Sequence, residues 1–284
     1  MPRFRLTLEY AGTRYSGWQI QKNAKTVQGE LHRALESVLG RASFETYGSG
    51  RTDAGVHALG QVAHVDTAAT LPPATLAARL NDALPADINV LDAERVSPRF
   101  HARHSAVARR YVYQISRRRT AFAKPFVWWV KDDLDLARMQ AAADALRGFG
   151  DFRAFTDDDP DEKSTRVLVE ELRVIDQDPL ILIRVTGSHF LWKMVRRIVG
   201  ILVEAGRGQI TPEDVGRLLG ATSELPAKLT APAAGLFLES VLYQDGDTVP
   251  PRSLAGLTEL HTRPQKGPGG GPARGSARPK PGRS

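Results

Sequence analysis

The chain has 284 residues, of which 42% are hydrophobic and 25% are charged, an ordinary composition for a soluble globular protein with enough length for two domains. It contains no cysteine, which excludes a disulfide framework, a thiolate nucleophile, cysteine-ligated zinc and an iron–sulfur cluster. No apolar stretch approaches the ~20 residues that span a bilayer. Because the chain opens on alternating residues and not on an apolar signal block, we expect a cytoplasmic protein.

The net charge of +7 is spread unevenly along the chain. Residues 262–284 hold six Lys or Arg and no acid, which leaves 33 basic against 32 acidic residues in 1–261. A second acid-free window, between Glu94 and Asp132, contains ten Lys or Arg. Such a window fits a surface that binds a polyanion, and it fits equally a solvated strand face whose acids lie elsewhere in space.

Hydrophobic periodicity predicts a mixed chain of strands and helices. Strict alternation predicts a strand over 4–10, and Thr26 is a good N-cap for a helix that stops at Gly40. The other elements predicted in the first half are strands over 42–47, 61–66 and 88–96 and a helix over 74–83.

The second half contains a similar mixture. Its predicted strands are 110–116, 166–175, 180–186 and 234–243, and its predicted helices start after Asp133 or Asp135, run over 190–205 and start at Thr211. Since strands and helices do not alternate regularly, an α+β fold with antiparallel sheet is favoured over a doubly wound parallel fold. We expect an N-terminal half over 1–104, a C-terminal half over 105–247 and a disordered, basic Pro/Gly-rich tail over 248–284, which either adds affinity for RNA or keeps the protein soluble.

The most unusual local sequence is Gly-Ser-Gly-Arg-Thr-Asp-Ala-Gly-Val-His-Ala at 48–58. Its glycines allow a tight backbone, and Arg51 stands two residues before Asp53. The segment lacks the Gly-Lys-Ser/Thr ending of a nucleotide-binding loop and the glycine spacing of a dinucleotide site. As a bare pattern it fits a turn that carries a surface Arg–Asp pair.

This loop, together with Gln-Val-Ala-His-Val at 61–65, resembles the signature of the tRNA pseudouridine synthase A family. Four further blocks resemble that family in the same order. They are Tyr-Ala-Gly-Thr-Arg-Tyr-Ser-Gly-Trp-Gln at 10–19, the segments at 100–103 and 108–113, Met-Val-Arg-Arg-Ile-Val-Gly at 194–200, and Ala-Ala-Gly-Leu-Phe-Leu at 233–238. Five ordered blocks are much more specific than one motif.

The resemblance implies two ferredoxin-like (RRM-like) halves that share a mostly antiparallel central sheet flanked by helices. It implies an isomerase that converts uridine to pseudouridine in the tRNA anticodon stem-loop, at positions 38, 39 and 40, as a homodimer and without a metal or another cofactor. The chain has no cysteine and no dense His/Asp/Glu cluster, which fits a reaction that needs neither a metal nor another cofactor.

The resemblance also implies the site residues. Asp53 matches the catalytic aspartate, which attacks the ribose or the base as a nucleophile or removes a ribose proton; the sequence does not choose among these routes. We expect Arg51 to pair with Asp53 and to fill the space of the extruded base. Tyr111 and Leu236 match the residues that pack on the two sides of the flipped base, and Arg196 matches an arginine that pairs with the carboxylate or a phosphate.

A third group of residues is expected to contact the RNA backbone, which positions RNA without reading its sequence. It consists of Phe100, His101, Arg103, Arg109, Arg110, Lys163 and Arg166. The acidic loop, residues 156–165, departs from the family pattern, and its five acids should keep it away from phosphate, leaving Lys163 and Arg166 as contacts. His57 is expected to be a hydrogen-bonded structural histidine.

Two other classes of function stay open on the residues alone. An RNA-binding protein without turnover would need the basic window and the aromatic residues but not Asp53. A carboxylate-based hydrolase such as a glycosidase normally uses two carboxylates that flank the bond, and no partner for Asp53 is evident in the five blocks.

Overall fold

The computed structural model describes residues 1–40 and 42–244, so the tail predicted at 248–284 lies outside the described residues. These residues form ten strands and six α-helices. The strands are β1 (Arg3–Tyr10), β2 (Phe44–Gly48), β3 (His57–Thr67), β4 (Ile88–Val96), β5 (Ala108–Ser116), β6 (Trp128–Trp129), β7 (Gly148–Asp151), β8 (Arg166–Gln177), β9 (Leu180–Gly187) and β10 (Leu236–Leu242). The helices are α1 (Val27–Leu39), α2 (Pro73–Ala83), α3 (Leu136–Asp144), α4 (Met194–Gly206), α5 (Pro212–Arg217) and α6 (Leu225–Lys228).

Local capping explains where several helices begin and end. The hydroxyl of Thr26 accepts a hydrogen bond from the first turn of α1, and Gly40, at φ 62°, ends that helix. The carboxylate of Asp135 caps α3. Thr211 and Asp214 form a reciprocal capping box on α5. The helix starts predicted at Thr26 and Thr211 are confirmed, and of the two starts predicted for α3, Asp133 and Asp135, the structure has Asp135.

All ten strands join one sheet, in the order β4-β1-β3-β10-β5-β9-β8-β7, with β2 added to β3 and β6 added to β5. The pairs are antiparallel except β3 with β10 and β5 with β6. The prediction of an α+β fold with a mostly antiparallel sheet flanked by helices is therefore confirmed.

The sheet forks beside β3. One edge of β3 pairs with β1 from residue 58 to residue 66. The other edge pairs with β10 at residues 57 and 58 and with β2 from residue 63 to residue 67. β2 and β10 share that edge of β3 but do not pair with each other. A gap therefore separates the end of β2 from β10 and from β5 and β9, the strands next to β10 in the sheet. The linker at 97–107 lies against β3 here, since the Ala102 N–H donates to Nδ1 of His64 (3.1 Å).

Two hydrophobic cores hold the helices against the sheet. The first joins β1 and β3 to α1 and α2, and the second joins β5, β8 and β9 to α3 and α4. They exchange residues: Val56 packs into the second core, whereas Leu238 of the last strand packs into the first. Tyr111 packs against both cores and thus marks the boundary between them. The division at residue 104 stays a prediction.

The structure corrects the predicted start of the helix over 190–205. Leu191 is buried, which continues the apolar pattern, but Lys193 has a left-handed backbone at φ 60° that stops a helix from extending further back. The helix α4 therefore begins at Met194. Short elements without a periodic signal, namely β6, β7 and α6, were not predicted. No helix within 1–40 or 42–244 is long and apolar enough to cross a membrane.

Candidate active site

The glycine-rich loop between β2 and β3 is fixed by hydrogen bonds along its length. The backbone N–H of Trp18 donates to the Thr52 carbonyl (3.0 Å), and the Thr52 hydroxyl lies 2.8 Å from the hydroxyl of buried Tyr10. The amide of Gln61 donates to the Gly50 carbonyl (3.1 Å) and its oxygen accepts from the Ser49 hydroxyl (2.7 Å). The residues just before Asp53 are thus held by the first strand, by the loop after it and by the strand that follows the glycine-rich loop.

Two glycines in the loop after β1 let the glycine-rich loop approach closely. A Cβ added at Gly17, which has φ +95°, would lie 2.5 Å from the Thr52 carbonyl oxygen. A Cβ added at Gly12 would lie 1.9 Å from the Val56 carbonyl oxygen. Any larger residue at either position would displace the segment that carries Asp53.

Asp53 lies at the boundary of the two cores with 28% of its side chain exposed. Its Oδ2 is 3.7 Å from Nη1 of Arg196 on α4, a distance for an ion pair and not for a direct hydrogen bond. The Nε of Arg196 donates to the Ala231 carbonyl (2.7 Å), which fixes the guanidinium. The carboxylate therefore remains open to a ligand, while a cation from α4 lies beside it.

Arg51 does not pair with Asp53 as predicted. Its side chain is exposed, and among residues 1–40 and 42–244 it forms no ion pair. Arg196 supplies the cation beside the carboxylate instead. The expectation that Arg51 fills the space of an extruded base stays a prediction.

Tyr111 lies on β5 at the level of Leu238, with its ring 5.2 Å from that of Phe190 and nearly perpendicular to it (85°). Burial raises the pKa of Tyr111, and the neighbouring Tyr10 and Asp53 raise it further, so the phenol is neutral at pH 7. Within the described residues its hydroxyl makes no hydrogen bond. Tyr111 thus presents a neutral ring and a hydroxyl that is free to bind a ligand.

Leu236 begins β10, two residues before Leu238 and on the same face. It pairs with Tyr113 of β5 and is only 5% exposed. Tyr113 is itself fixed, since its hydroxyl donates to the Pro232 carbonyl (2.8 Å). Asp53, Arg196, Tyr111 and Leu236 are therefore brought to one region where the cores meet.

The neighbour of Arg196 points elsewhere. Arg197 is 4% exposed, contacts the Asp157 carboxylate through Nη2 and donates to the Ala154 carbonyl (3.4 Å). Asp157 also pairs with Lys193 (3.1 Å). The acidic loop is thus docked on the start of α4, where its acids neutralise basic residues of the same chain.

Four of the predicted RNA contacts are charged side chains whose surroundings differ. Lys163 pairs with Asp158 of the acidic loop (2.8 Å), so a phosphate contact would have to break that pair. Arg110 donates to the Thr186 hydroxyl (3.0 Å) and lies on the opposite face of β5 from Tyr111, which removes it from the candidate site. Arg103 and Arg166 are exposed and unpaired within the described residues, which suits a phosphate contact.

The other three predicted contacts are tied into the linker. Burial, with help from nearby cations, lowers the pKa of His101, so its ring is neutral at pH 7 and adds no charge attraction for RNA. The ring of Phe100 packs 4.9 Å from that of Tyr243. Arg109 donates four hydrogen bonds to backbone carbonyls, which leaves little of its guanidinium for phosphate.

His57 directly follows the loop and has a structural environment. Its Nδ1 accepts from the Gly12 N–H (3.0 Å) and its Nε2 lies 2.9 Å from the Pro125 carbonyl, to which it must donate. The ring stacks on Phe237 (4.6 Å). Burial lowers the pKa of His57 to about 4, so it is neutral at pH 7, as expected for a hydrogen-bonded structural histidine.

Several residues of the site were not predicted. The sequence pattern predicts Phe190 to lie in a helix, whereas it lies before α4, with its ring against Tyr111. Tyr10 and Gln61 lie inside matched blocks, but their bonds to the loop depend on strand pairing. In the part of the chain that the structure describes, no group of three or more His, Cys, Asp or Glu could hold a metal ion.

Residues 7–105 and 142–244 match the family model described as tRNA pseudouridine synthase. The chain belongs to this family. The protein named tRNA pseudouridine synthase A from Rhodopseudomonas palustris (strain BisA53) is 43% identical over 247 residues, which cover 86% of this chain and 100% of that protein. The protein of the same name from Agrobacterium fabrum (strain C58 / ATCC 33970) is 42% identical over 257 residues, or 89% and 96% of the two chains.

A third relative, tRNA pseudouridine synthase A from Syntrophotalea carbinolica (strain DSM 2380 / NBRC 103641 / GraBd1), is 43% identical over 247 residues, covering 86% of this chain and 98% of its own. In this chain, the two segments that match the family model, residues 7–105 and 142–244, meet at the candidate site. Asp53 belongs to the first matched segment, Arg196 and Leu236 belong to the second, and Tyr111 lies between them.

Proposed function

We propose that the protein converts uridine to pseudouridine in the anticodon stem-loop of tRNA, at positions 38, 39 and 40, with Asp53 as the catalytic carboxylate. The observation that carries the proposal is the position of Asp53: it is partly exposed where the two cores meet and has the cation of Arg196 3.7 Å away. Membership of the tRNA pseudouridine synthase family supports the reaction and the substrate.

The conversion of uridine to pseudouridine requires one carboxylate and no oxidant or reductant. The bond from ribose C1′ to base N1 breaks, a bond from C1′ to C5 forms, and the hydrogen lost from C5 is balanced by one gained on N1. An aspartate that is ionised at neutral pH can attack the nucleoside or remove a proton. The guanidinium of Arg196 lies 3.7 Å from that carboxylate and attracts it without covering it.

The target base must leave its stack before the carboxylate can reach the ribose, at a cost of a few kcal/mol. Tyr111 offers an aromatic surface held from behind by Phe190, and Leu236 offers an apolar surface on the neighbouring strand. Stacking on such a ring contributes about 1–3 kcal/mol per base, which offsets much of that cost. Because the phenol is neutral, it adds no charge that would repel the carboxylate or a phosphate.

Backbone contacts would come from cations that are exposed and unpaired within the described residues, above all Arg51, Arg103 and Arg166. We also propose that the protein acts in the cytoplasm as a homodimer, as the family resemblance implies. Sedimentation at micromolar protein tests the dimer: a single species at the mass of one chain would contradict it.

The central experiment uses unmodified tRNA made by transcription and maps pseudouridine by carbodiimide labelling and primer extension. Wild-type protein should give product at positions 38–40, whereas Asp53→Asn, which keeps the side-chain shape, should lose at least about 10²-fold in rate and still bind the RNA. Asp92→Asn is the matched control, since Asp92 is an exposed carboxylate on the edge strand β4, and it should keep full activity.

The same experiment separates the other classes of function. A binding protein without turnover would give no pseudouridine from the wild type or from either variant. A hydrolase would leave an abasic ribose that breaks the strand under mild base. An Asp53→Asn protein that retains wild-type activity would refute the assignment of this carboxylate.

A further inference from the structure

Arg109 makes an unusual set of contacts for a residue in a basic window. Its Nη2 donates to the carbonyls of Arg103 (2.8 Å) and Ser49 (3.1 Å). Its Nη1 donates to the carbonyls of Ser188 (3.0 Å) and Ala106 (3.3 Å). Four of the five N–H groups of the guanidinium are thus used on backbone oxygens.

These four carbonyls belong to three separate segments that meet at the fork of the sheet. Ser49 directly follows β2 and starts the loop that carries Asp53, and Ser188 directly follows β9 on the way to Phe190. The remaining two carbonyls lie in the linker at 97–107. The side chain of Arg109 therefore bridges the gap between the end of β2 and the end of β9, a strand of the second core.

The side chain is also on the correct face to affect the candidate site. Arg109 and Tyr111 are two residues apart on β5, so their side chains leave the sheet on the same side. The loop on one side of the fork carries Asp53, and the turn on the other side carries Phe190, which packs on Tyr111. The distance between these segments sets the relative position of the carboxylate and the aromatic ring.

The charge of Arg109 has no carboxylate partner within the described residues. Burial lowers the pKa of Arg109, as expected for a cation removed from water. A planar guanidinium can satisfy four carbonyls at fixed angles, whereas a lysine has three donors on one atom. The planar shape of the Arg109 guanidinium thus allows it to bind all four carbonyls, although removing its charge from water costs free energy.

We propose that Arg109 is a positioning residue that holds the Asp53 loop in register with Tyr111 and Phe190, and that it is not an RNA phosphate contact. This inference rests on the proposed function for its catalytic readout. Its structural readout, the rigidity of the loop, does not depend on any activity.

The test compares Arg109→Lys, which keeps the charge, with Arg109→Gln, which removes it, and with Arg79→Gln on the exposed face of α2 as a control. Three quantities are measured: the single-turnover rate at saturating tRNA, the salt dependence of tRNA binding, and hydrogen exchange of the amides at 49–56. Thermal unfolding checks that each variant is folded.

We expect Arg109→Lys to lower the single-turnover rate about tenfold to a hundredfold, because small displacements of catalytic groups have effects of that size. Its tRNA dissociation constant should stay within about twofold of wild type, since phosphate contacts dominate affinity. Exchange at 49–56 should become faster. In Arg109→Gln the slope of log Kd against log[salt] should stay as in wild type, whereas losing one phosphate contact would reduce it by about 0.7–0.9.

A wild-type rate with unchanged exchange in Arg109→Lys would overturn the proposal, as would a reduced salt slope in Arg109→Gln. If Arg109→Gln does not fold, the rate and the exchange of Arg109→Lys decide. If the wild type makes no pseudouridine, the proposed function fails, and the exchange at 49–56 still decides whether Arg109 holds the loop.

Discussion

Replacing Gly17 by alanine is the sharpest test of how the loop after β1 holds the glycine-rich loop that carries Asp53. The new Cβ would lie 2.5 Å from the Thr52 carbonyl oxygen, and Cβ contacts shorter than 3.0 Å are essentially never observed. The two segments must therefore separate by at least about half an ångström. Because Thr52 precedes Asp53 and its carbonyl binds Trp18, the displacement passes directly to the carboxylate.

The expected cost has two parts. A left-handed backbone at φ +95° costs alanine about 1–2 kcal/mol, and forcing apart well-packed atoms adds about 1–3 kcal/mol. Gly148 separates the two parts, because it has nearly the same φ, +96°, and nothing lies within 4 Å of its missing Cβ. Gly148→Ala should therefore show only the first cost.

Urea unfolding at pH 7 gives the free energy of unfolding of both variants, and pseudouridine mapping gives their activity. We expect Gly17→Ala to lose about 2–5 kcal/mol of stability and about tenfold in turnover, since catalytic groups tolerate displacements of only about 0.5 Å. Gly148→Ala should keep full activity. Equal losses of stability in the two variants, with unchanged turnover in Gly17→Ala, would show that this contact does not position the loop.

Local signals were sufficient for most of the secondary structure. Thr26 and Thr211 cap their helices through atoms three residues away, so the sequence alone contains both partners of each bond. The apolar pattern around α4 was misleading at one end, because Leu191 is buried without being helical. Only the backbone at Lys193 decides where that helix starts.

The partners of Arg109 and of Asp53 could not be predicted, because they include groups from chain segments far apart in sequence. Arg109 binds the Ser188 carbonyl, 79 residues away, and Asp53 receives its cation from α4 and not from Arg51 two residues before it. A strand assignment separates Arg109 from Arg110 by face, yet it does not say which face carries the candidate site. The resemblance supplied the residues of the site, and the sheet topology supplied their arrangement.

Two further perturbations test the surroundings of the site. Burial lowers the pKa of His57 from 6.5 to about 4, so the unfolded chain takes up a proton at this histidine at higher pH than the folded chain does. The contribution of the neutral His57 ring to the free energy of unfolding is therefore complete above pH 6.5 and is lost as the pH falls toward 4. Urea midpoints should therefore fall less between pH 7 and pH 4.5 in His57→Gln than in the wild type, and equal falls would contradict the burial of a neutral ring. The second perturbation, Asp157→Asn, removes the carboxylate that contacts Arg197, whose side chain is 4% exposed and whose Nε has no partner within the described residues. Leaving this buried cation without its counter-ion should cost about 1–3 kcal/mol in urea unfolding and release the acidic loop from α4. Glu162→Gln is the control in the same loop, since Glu162 is exposed and its side chain pairs with nothing in the described chain; it should change stability by no more than about 0.5 kcal/mol. If both variants had the same small effect, the acidic loop would not depend on the Arg197 pair for its position.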